Sequence, residues 1–439
     1  MLNNNSFKIS KGHNLLLDGN PEKNIITDES VSKIVFNPSS IKGIKPKISV
    51  KEDDCVKVGS KLFFDKNNPE VPFVSTCSGK ILKVVYGERR SLDSIIIEND
   101  GRFESEELDF DINRNSLIKS GLWTFLRKRP FSVIPHSNEN PNSIFISALS
   151  TQPFGLDFEF ILKDSDNYLQ QGIDILKKIF NCEIYFTSTS DSFFKGLSNV
   201  SHYSFNKLHP AGNVGIQMHH INPIKDAADS KWYLSLQDLN RIGEYFQNKE
   251  YPSYRHVVVA GNGFSKPSYY KQLIGTPISH YIKDNSNDDV RIISGDVLSG
   301  TVTVPDNSLR YYDEILSVIK VNNKRDFLGW LMPGLKKYTV SNVFLSKLIK
   351  NKSSELDLRL NGSVRSIIPM GVWDKLLPMN IMPEFLIKSI LAEDIDMMEK
   401  LGIYECSPED FALCAFVCQS KVEVSAIIEK GLDVMEAEE

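Results

Sequence analysis

The sequence predicts a multidomain protein of mixed α/β and α+β class, and three observations predict it. The first hundred or so residues carry short apolar runs broken by Gly, Pro and Asn, a β pattern. From residue 143 a continuous apolar run, a helical period and a second apolar run follow one another, which is a βαβ unit. The last hundred residues read as helical. A chain of 439 residues exceeds one ordinary core and accommodates roughly three or four domains.

In the first unit, residues 62–85 read as two extended runs, with Asn67, Asn68 and Pro69 supplying the turn between them and Gly59 and Gly79 punctuating the strands. This pattern resembles the barrel-sandwich hybrid of biotinyl and lipoyl domains. Lys66 then falls near the hairpin tip, where such a carrier would bear its modified lysine, although an exposed turn lysine is the simpler reading. Next comes a helix-poor link holding Trp123 and Phe125. The basic run Arg127, Lys128, Arg129 before Pro130 reads as solvated surface.

In the second unit, residues 143–150 predict a strand. Asp166 is placed to cap the helix that follows, and Leu169, Ile173, Leu176 and Phe180 share one helical face. Residues 182–188 predict the second strand, so a parallel Rossmann-like sheet is expected. In the third, residues 256–261 and 316–321 predict strands and residues 291–304 a Gly-broken strand pair, with a short helix between Pro277 and Lys283. That mixture fits a β-grasp (SLBB-like) domain. In the helical C-terminal domain, Ser407, Pro408 and Asp410 predict a capping box. Pro383 opens a helix that includes Ile381, Phe385 and Leu386, and Gly402 stops the one with Met397 and Met398. The expected division is 1–125, 126–255, 256–340 and 341–439.

Composition excludes several functions. A net charge of −5 gives no general attraction to nucleic acid. The longest apolar run, residues 411–418, is far short of the about 20 residues a membrane span needs. The N-terminus lacks the apolar core of a secretory signal, so a cytoplasmic chain is expected. A dinucleotide site needs a Gly-rich turn after the first strand. Here residues 151–157 offer Gly155 alone, beside Pro153 with no N–H. Gly261-Asn262-Gly263 reads as a plain turn, and no phosphate loop of the Walker type exists. The six cysteines include no C-x-x-C pair; Cys406, Cys414 and Cys418 read as buried thiols in an apolar helix. His209, His219 and His220 form the densest histidine group. Read on a strand, His219 and His220 point to opposite faces and cannot easily share an ion, and Asp226 is the nearest carboxylate in sequence.

Eight strings, at residues 7–22, 62–81, 86–98, 209–220, 291–300, 325–334, 368–383 and 409–418, resemble in order the A-subunit family of the sodium-translocating NADH:quinone reductase. HPAGNVGIQMHH at 209–220 is the most characteristic. The likeness runs from about Phe7 to Lys421. The chain departs where Gln419-Ser420 replaces the usual Pro-Gly before Lys421, and where His220 stands in place of an aromatic residue. The resemblance implies a six-subunit complex that reduces ubiquinone to ubiquinol while exporting sodium ions, using NADH, FAD, FMN, riboflavin and iron–sulfur centres. It implies that this family's chain binds none of these cofactors and no metal, and is not catalytic alone. It implies a place at the cytoplasmic face of the bacterial inner membrane with the B to F subunits, chiefly the membrane-embedded B subunit. It also implies a fold like the NADH-binding flavoprotein subunit of respiratory complex I and the C subunit of the Rnf complex. His209, His219 and His220 are the quinone-proximal candidates, and no residue is assigned as catalytic. The alternatives are a stand-alone flavin or NADH oxidoreductase and a lipoyl-type carrier.

Overall fold

The computed structural model describes residues 5–27, 30–283, 289–321, 328, 331–335, 337–340, 344–348, 358–360 and 362–438. The β pattern of the first hundred residues forms two small sheets. One runs Lys33–Phe36, Leu92–Asn99, Gly79–Tyr86, Cys55–Val56; the other runs Pro46–Ile48, Lys61–Asp65, Asn68–Val74. Between them lie Ile34, Leu62, Phe73, Ile81 and Ile95, and the rings of Phe63 and Phe73 stack with centroids 4.4 Å apart. Residues 62–85 hold three strands, not two. The turn is Lys66-Asn67 alone, because Asp65 Oδ1 accepts from Lys45 N at 2.8 Å and Asn67 N at 3.2 Å and closes the loop early. Asn68 and Pro69 open the next strand, which lies at a sheet edge where a proline's missing N–H costs no ladder bond.

Short apolar runs at helical spacing then build the second unit. Strands β1 (Arg127–Arg129), β2 (Ser143–Ser147), β3 (Glu183–Ser188), β4 (Ser201–Phe205) and β5 (Lys231–Ser235) form one sheet in the order β4-β3-β2-β5-β1. β2 to β5 are mutually parallel, β1 is antiparallel, and Ser6–Phe7 adds a parallel strand beside β4. Helices α1 (Asp166–Phe180), α2 (Val214–Ile221) and α3 (Leu236–Asn248) accompany it. The predicted face of α1 is buried at Leu169, Ile173, Leu176 and Phe180. Ser165 takes the cap position instead of Asp166, which begins the first turn, where its charge meets the positive end of the helix dipole.

The third unit is a sheet of β6 (Tyr254–Ala260), β7 (Ser268–Leu273), β8 (Val290–Ser294), β9 (Thr301–Val302) and β10 (Ile315–Lys320), ordered β9-β8-β10-β6-β7. Glu22–Thr27 pairs beside β7, so the N-terminal segment lends strands to both larger sheets. The short helix falls at Ile278–Tyr281 as expected.

The C-terminal helices are α4 (Pro383–Leu391), α5 (Ile395–Lys400), α6 (Ala412–Val417) and α7 (Val424–Glu438). Their apolar faces meet in a core of Leu386, Ile390, Phe411, Cys414 and Ile428 that also takes in Phe145 of β2 and Ile216 of α2. Ile381 precedes α4, and Phe385 faces outward at 59% exposure. Gly402, at φ +86°, follows α5 as expected. The capping box does not form. Residues Pro408–Phe411 make a 3-10 turn, the Ser407 hydroxyl caps nothing, and Asp410 turns inward to accept from Asn213 Nδ2 at 3.1 Å. Cys406, Cys414 and Cys418 are buried, and burial raises the Cys406 and Cys414 thiols far above their ordinary titration range. Half of the string at 325–334, residues 325–327 and 329–330, lies outside the described residues. Among the described residues no helix is long and apolar enough to cross a membrane.

Candidate functional site

A parallel sheet opens a crevice where consecutive crossovers leave in opposite directions. From β2 the chain moves to β3 and β4 on one side, then returns to place β5 on the other side of β2. The carboxyl ends of β2 and β5 therefore diverge at Ser147 and Ser235. A cleft of about 230 Å³ opens there, beside the start of α2 at Asn213 and Val214. The third unit covers it with Asp296, Leu298, Arg310, Tyr312 and Glu314.

The cleft is small for an elongated cofactor; pockets for drug-sized ligands run from about 300 to 1,000 Å³. Several backbone donors of the loops beside it are also taken. After β2, Leu149 N donates to Ser147 Oγ, Thr151 N to Gln152 Oε1 and Gly155 N to Gln152 O. Gly212 N, near the start of α2, donates to Thr151 Oγ1 at 2.9 Å. These loop amides are therefore engaged within the chain.

Arg127 forms one wall. Its guanidinium lies between the rings of Tyr233 and Tyr312, 4.3 Å from each centroid. Its Nε is buried without a partner among the described residues. This corrects the surface reading of the basic run. β1 pairs with β5, so alternate residues Arg127 and Arg129 turn to one face while Lys128 turns to the other and bonds Glu139 at 2.8 Å. Arg129 is fully buried and donates from Nη2 to Glu405 O at 2.7 Å.

His209 lines the same cleft at 3% exposure. Its Nδ1 is 3.2 Å from Thr151 Oγ1, and its Nε2 has no partner among the described residues. Burial, then the neighbouring His13, lowers its pKa to about 4, so the ring is neutral. His219 and His220 are elsewhere. They belong to helix α2, not to a strand, so the opposed-faces argument does not apply to them. His219 donates from Nδ1 to Glu405 Oε2 at 2.8 Å and accepts at Nε2 from Asn380 N at 3.0 Å, which fixes its tautomer. His220 donates from Nε2 to Pro378 O at 2.9 Å and packs on Phe7, with ring centroids 5.5 Å apart. Both fasten α2 to the C-terminal part and line no part of the cleft. The carboxylate partner of His219 is Glu405, distant in sequence, and not Asp226. Lys66 stands exposed in its turn. No group of three or more His, Cys, Asp or Glu suited to a metal ion gathers among the described residues.

Tyr233, Tyr312 and Glu314 carried no motif and were not singled out in the sequence. Glu314 is raised to about 7, first by burial and then by Asp238, with Arg255 and hydrogen bonds from Ser235 and Gln237 opposing. Unfolded, it would titrate near about 4.3. Its protonated form is thus favoured by folding: the contribution is full below about pH 4.3 and is lost as pH rises to about 7. Glu314→Gln should therefore gain melting temperature over the parent across that window and level off above it. A difference between the two that does not change with pH would contradict this assignment.

Three family models match the chain. Residues 7–100 match the NqrA N-terminal barrel-sandwich hybrid domain, 109–251 the NqrA second alpha/beta domain and 256–304 the NQRA C-terminal domain. Among curated relatives, the chain is similar to the A subunit of the Na(+)-translocating NADH-quinone reductase of Neisseria meningitidis serogroup B. The two are 33% identical over 447 residues, 98% of this chain and 100% of that one. The protein of the same description from Vibrio atlanticus is 34% identical over 443 residues, 98% of this chain and 99% of that one. That from Histophilus somni is 33% identical over 444 residues with the same coverage. Among solved structures, an NAD+-reducing [NiFe]-hydrogenase aligns at a TM-score of 0.37 and 8% identity, over 68% of this chain and 55% of that one; similarity at that level has no functional meaning.

Proposed function

The chain belongs to the A-subunit family of the Na(+)-translocating NADH-quinone reductase, and from that premise we propose that it is the peripheral subunit of such a complex, docked on the membrane-embedded B subunit at the cytoplasmic face. The activity is then that of the assembled complex, ubiquinone reduction coupled to sodium export, with NADH, flavins and iron–sulfur centres held by the other subunits. The observation that carries this reading is likeness along 98% of the chain. Two features support it. Gly155 is the lone glycine of the turn after β2 and its amide is bonded to Gln152 O, which disfavours a stand-alone NADH or flavin enzyme. The C-terminal helices leave Met382, Phe385, Leu391 and Met397 at 40–59% exposure, an apolar set suited to a protein partner.

Within this reading the chain closes the cytoplasmic side of a quinone pocket. Of the three histidines, His209 is the one suited to that part, because its ring lines the cleft with Nε2 unengaged among the described residues. Two measurements test these statements. Extraction of membranes should bring this chain off with a sodium-dependent, NADH-oxidising quinone reductase; recovery of the chain alone would end the docking proposal. A photoreactive quinone analogue should label peptides around His209 as well as the B subunit. Labelling confined to the B subunit would remove the pocket role and leave docking intact.

A further inference from the structure

Strand β1 brings one arginine to the cleft with its side-chain donors unspent. β1 and β5 are antiparallel, and their register sets Arg127 directly opposite Tyr233. Tyr312 comes from the covering third unit, and its hydroxyl donates to Thr124 O at 2.8 Å, which holds that ring in place. The Arg127 guanidinium is therefore covered by two rings, each 4.3 Å away, and only its edge remains. Among the described residues no hydrogen bond or ion pair reaches that edge, and Nε is buried without a partner. Glu409 and Asp238 act on the charge through space, but Asp238 is engaged by Arg241 at 3.1 Å. The acids that line the cleft are mostly occupied as well. Asp313 pairs with Arg310 at 2.7 Å, and Asp296 accepts from Leu298 N at 2.6 Å and Ser299 N at 3.2 Å. Glu314, raised to about 7, accepts from Ser235 and Gln237. Glu409 is then the lining carboxylate with no partner among the described residues.

A guanidinium keeps its charge throughout the pH range of a protein and presents its N–H donors as a fork in one plane. Donors of a charged group left without acceptors in a partly desolvated wall are costly, so this edge points to an oxyanion ligand. The surroundings set the chemistry of that ligand. With both faces covered, approach is along the plane, which suits a flat carboxylate bonded through both oxygens. A phosphate brings a further negative charge toward Glu409, which disfavours it. Leu149, Phe158, Val214 and Leu298 supply apolar walls nearby. The volume of about 230 Å³ lies below the roughly 300 Å³ at which sites for drug-sized ligands begin, so the ligand is small. We propose that the cleft is a binding site for a small monocarboxylate, held in plane by the Arg127 guanidinium with its hydrocarbon part against Leu149, Phe158 and Leu298. The bound acid joins the parallel sheet to the third unit, because Arg127 and Tyr233 belong to the first and Leu298 and Tyr312 to the second. Every one of these residues belongs to this chain, so the site needs no other subunit to form.

The experiment is isothermal titration calorimetry of the purified full chain with butyrate, butyramide and inorganic phosphate, at neutral pH and matched ionic strength. Saturable binding of butyrate is expected. Butyramide has the same shape without the charge and should bind at least about tenfold more weakly. Phosphate should also bind more weakly than butyrate. Arg127→Lys keeps the charge but loses the planar fork, and should weaken butyrate binding about tenfold. Arg127→Gln removes the charge as well and should weaken it by about tenfold to a hundredfold. Melting temperatures without ligand show whether each variant keeps the fold. Hydrogen exchange of the parent gives a reading that needs no variant: butyrate should slow exchange at residues 127–129 and 309–315. The proposal would be overturned by no saturable butyrate binding at tens of millimolar, or by butyramide or phosphate binding as tightly as butyrate. Folded variants that bind like the parent, or protection confined to other parts of the chain, would overturn it too. Its failure leaves docking and the quinone pocket untouched, because those are read from co-extraction and from labelling by the quinone analogue.

Discussion

Arg129→Met is expected to lower the unfolding free energy by about 1.5–3 kcal/mol, the scale of a hydrogen bond from a charged donor. Arg129 has no exposed surface, and Asp410 is 1% exposed. The two flank the α carbon of Gly215, where a Cβ would stand 2.3 Å from Asp410 Oδ2 and 3.1 Å from Arg129 Nη1. Burial raises the pKa of the Asp410 carboxyl, and the Arg129 charge opposes that shift. Removing the arginine takes a nearby positive charge away from a buried carboxyl that it does not hydrogen-bond, and deprives Glu405 O of its donor. Because β1 joins the parallel sheet to the C-terminal helices through this arginine, the loss should be local. Hydrogen exchange should accelerate first over residues 403–418, ahead of β2 and β3. Arg129→Met with Asp410→Asn should recover the electrostatic part of the loss and leave the part due to the missing donor to Glu405 O. Urea denaturation of both variants measures the effect. A single variant within about 1 kcal/mol of the parent would contradict both contributions.

Gly243→Ala is the second large effect, and helix propensity alone assigns it the opposite sign. Alanine favours a helix interior over glycine by about 1 kcal/mol. Yet a Cβ on Gly243 would lie 1.9 Å from Tyr168 O, and one on Gly172 would lie 2.5 Å from Leu239 O. Both obstacles are backbone carbonyls of the facing helix, which no side-chain rotation can clear. α1 and α3 cross at these two glycines, so the substitution forces the helices apart and should cost a net of about 2–3 kcal/mol. Gly196→Ala is the internal comparison, since a Cβ there meets nothing within 4 Å. It should change stability by less than about 0.5 kcal/mol. If Gly243→Ala proved as neutral as Gly196→Ala, the close helix crossing would be disproved.

Legibility in the sequence followed the range of the interaction. The buried face of α1 could be read because Leu169, Ile173, Leu176 and Phe180 are set by a repeat within one helix. The missing phosphate cradle after β2 was legible for a similar reason, since a glycine-rich turn is a local requirement. The two-residue turn at Lys66-Asn67 was misplaced because Asp65 captures it with bonds that composition does not show. The histidine string was recognised, but its split was not. His209 lies in the cleft, while His219 and His220 bond to Glu405 and Pro378, 186 and 158 positions away.

The sequence by itself determined the order of the units, the period of each helix and the lack of a dinucleotide turn, because backbone preference and hydrophobic spacing act over a few residues. Only the tertiary structure decided that a basic run becomes a half-buried arginine clamped between Tyr233 and Tyr312 and a fully buried one near Asp410. It alone placed the cleft where β2 and β5 diverge. The physical reason is that burial and charge pairing depend on which distant segments meet, and that is fixed when the sheets and helices pack.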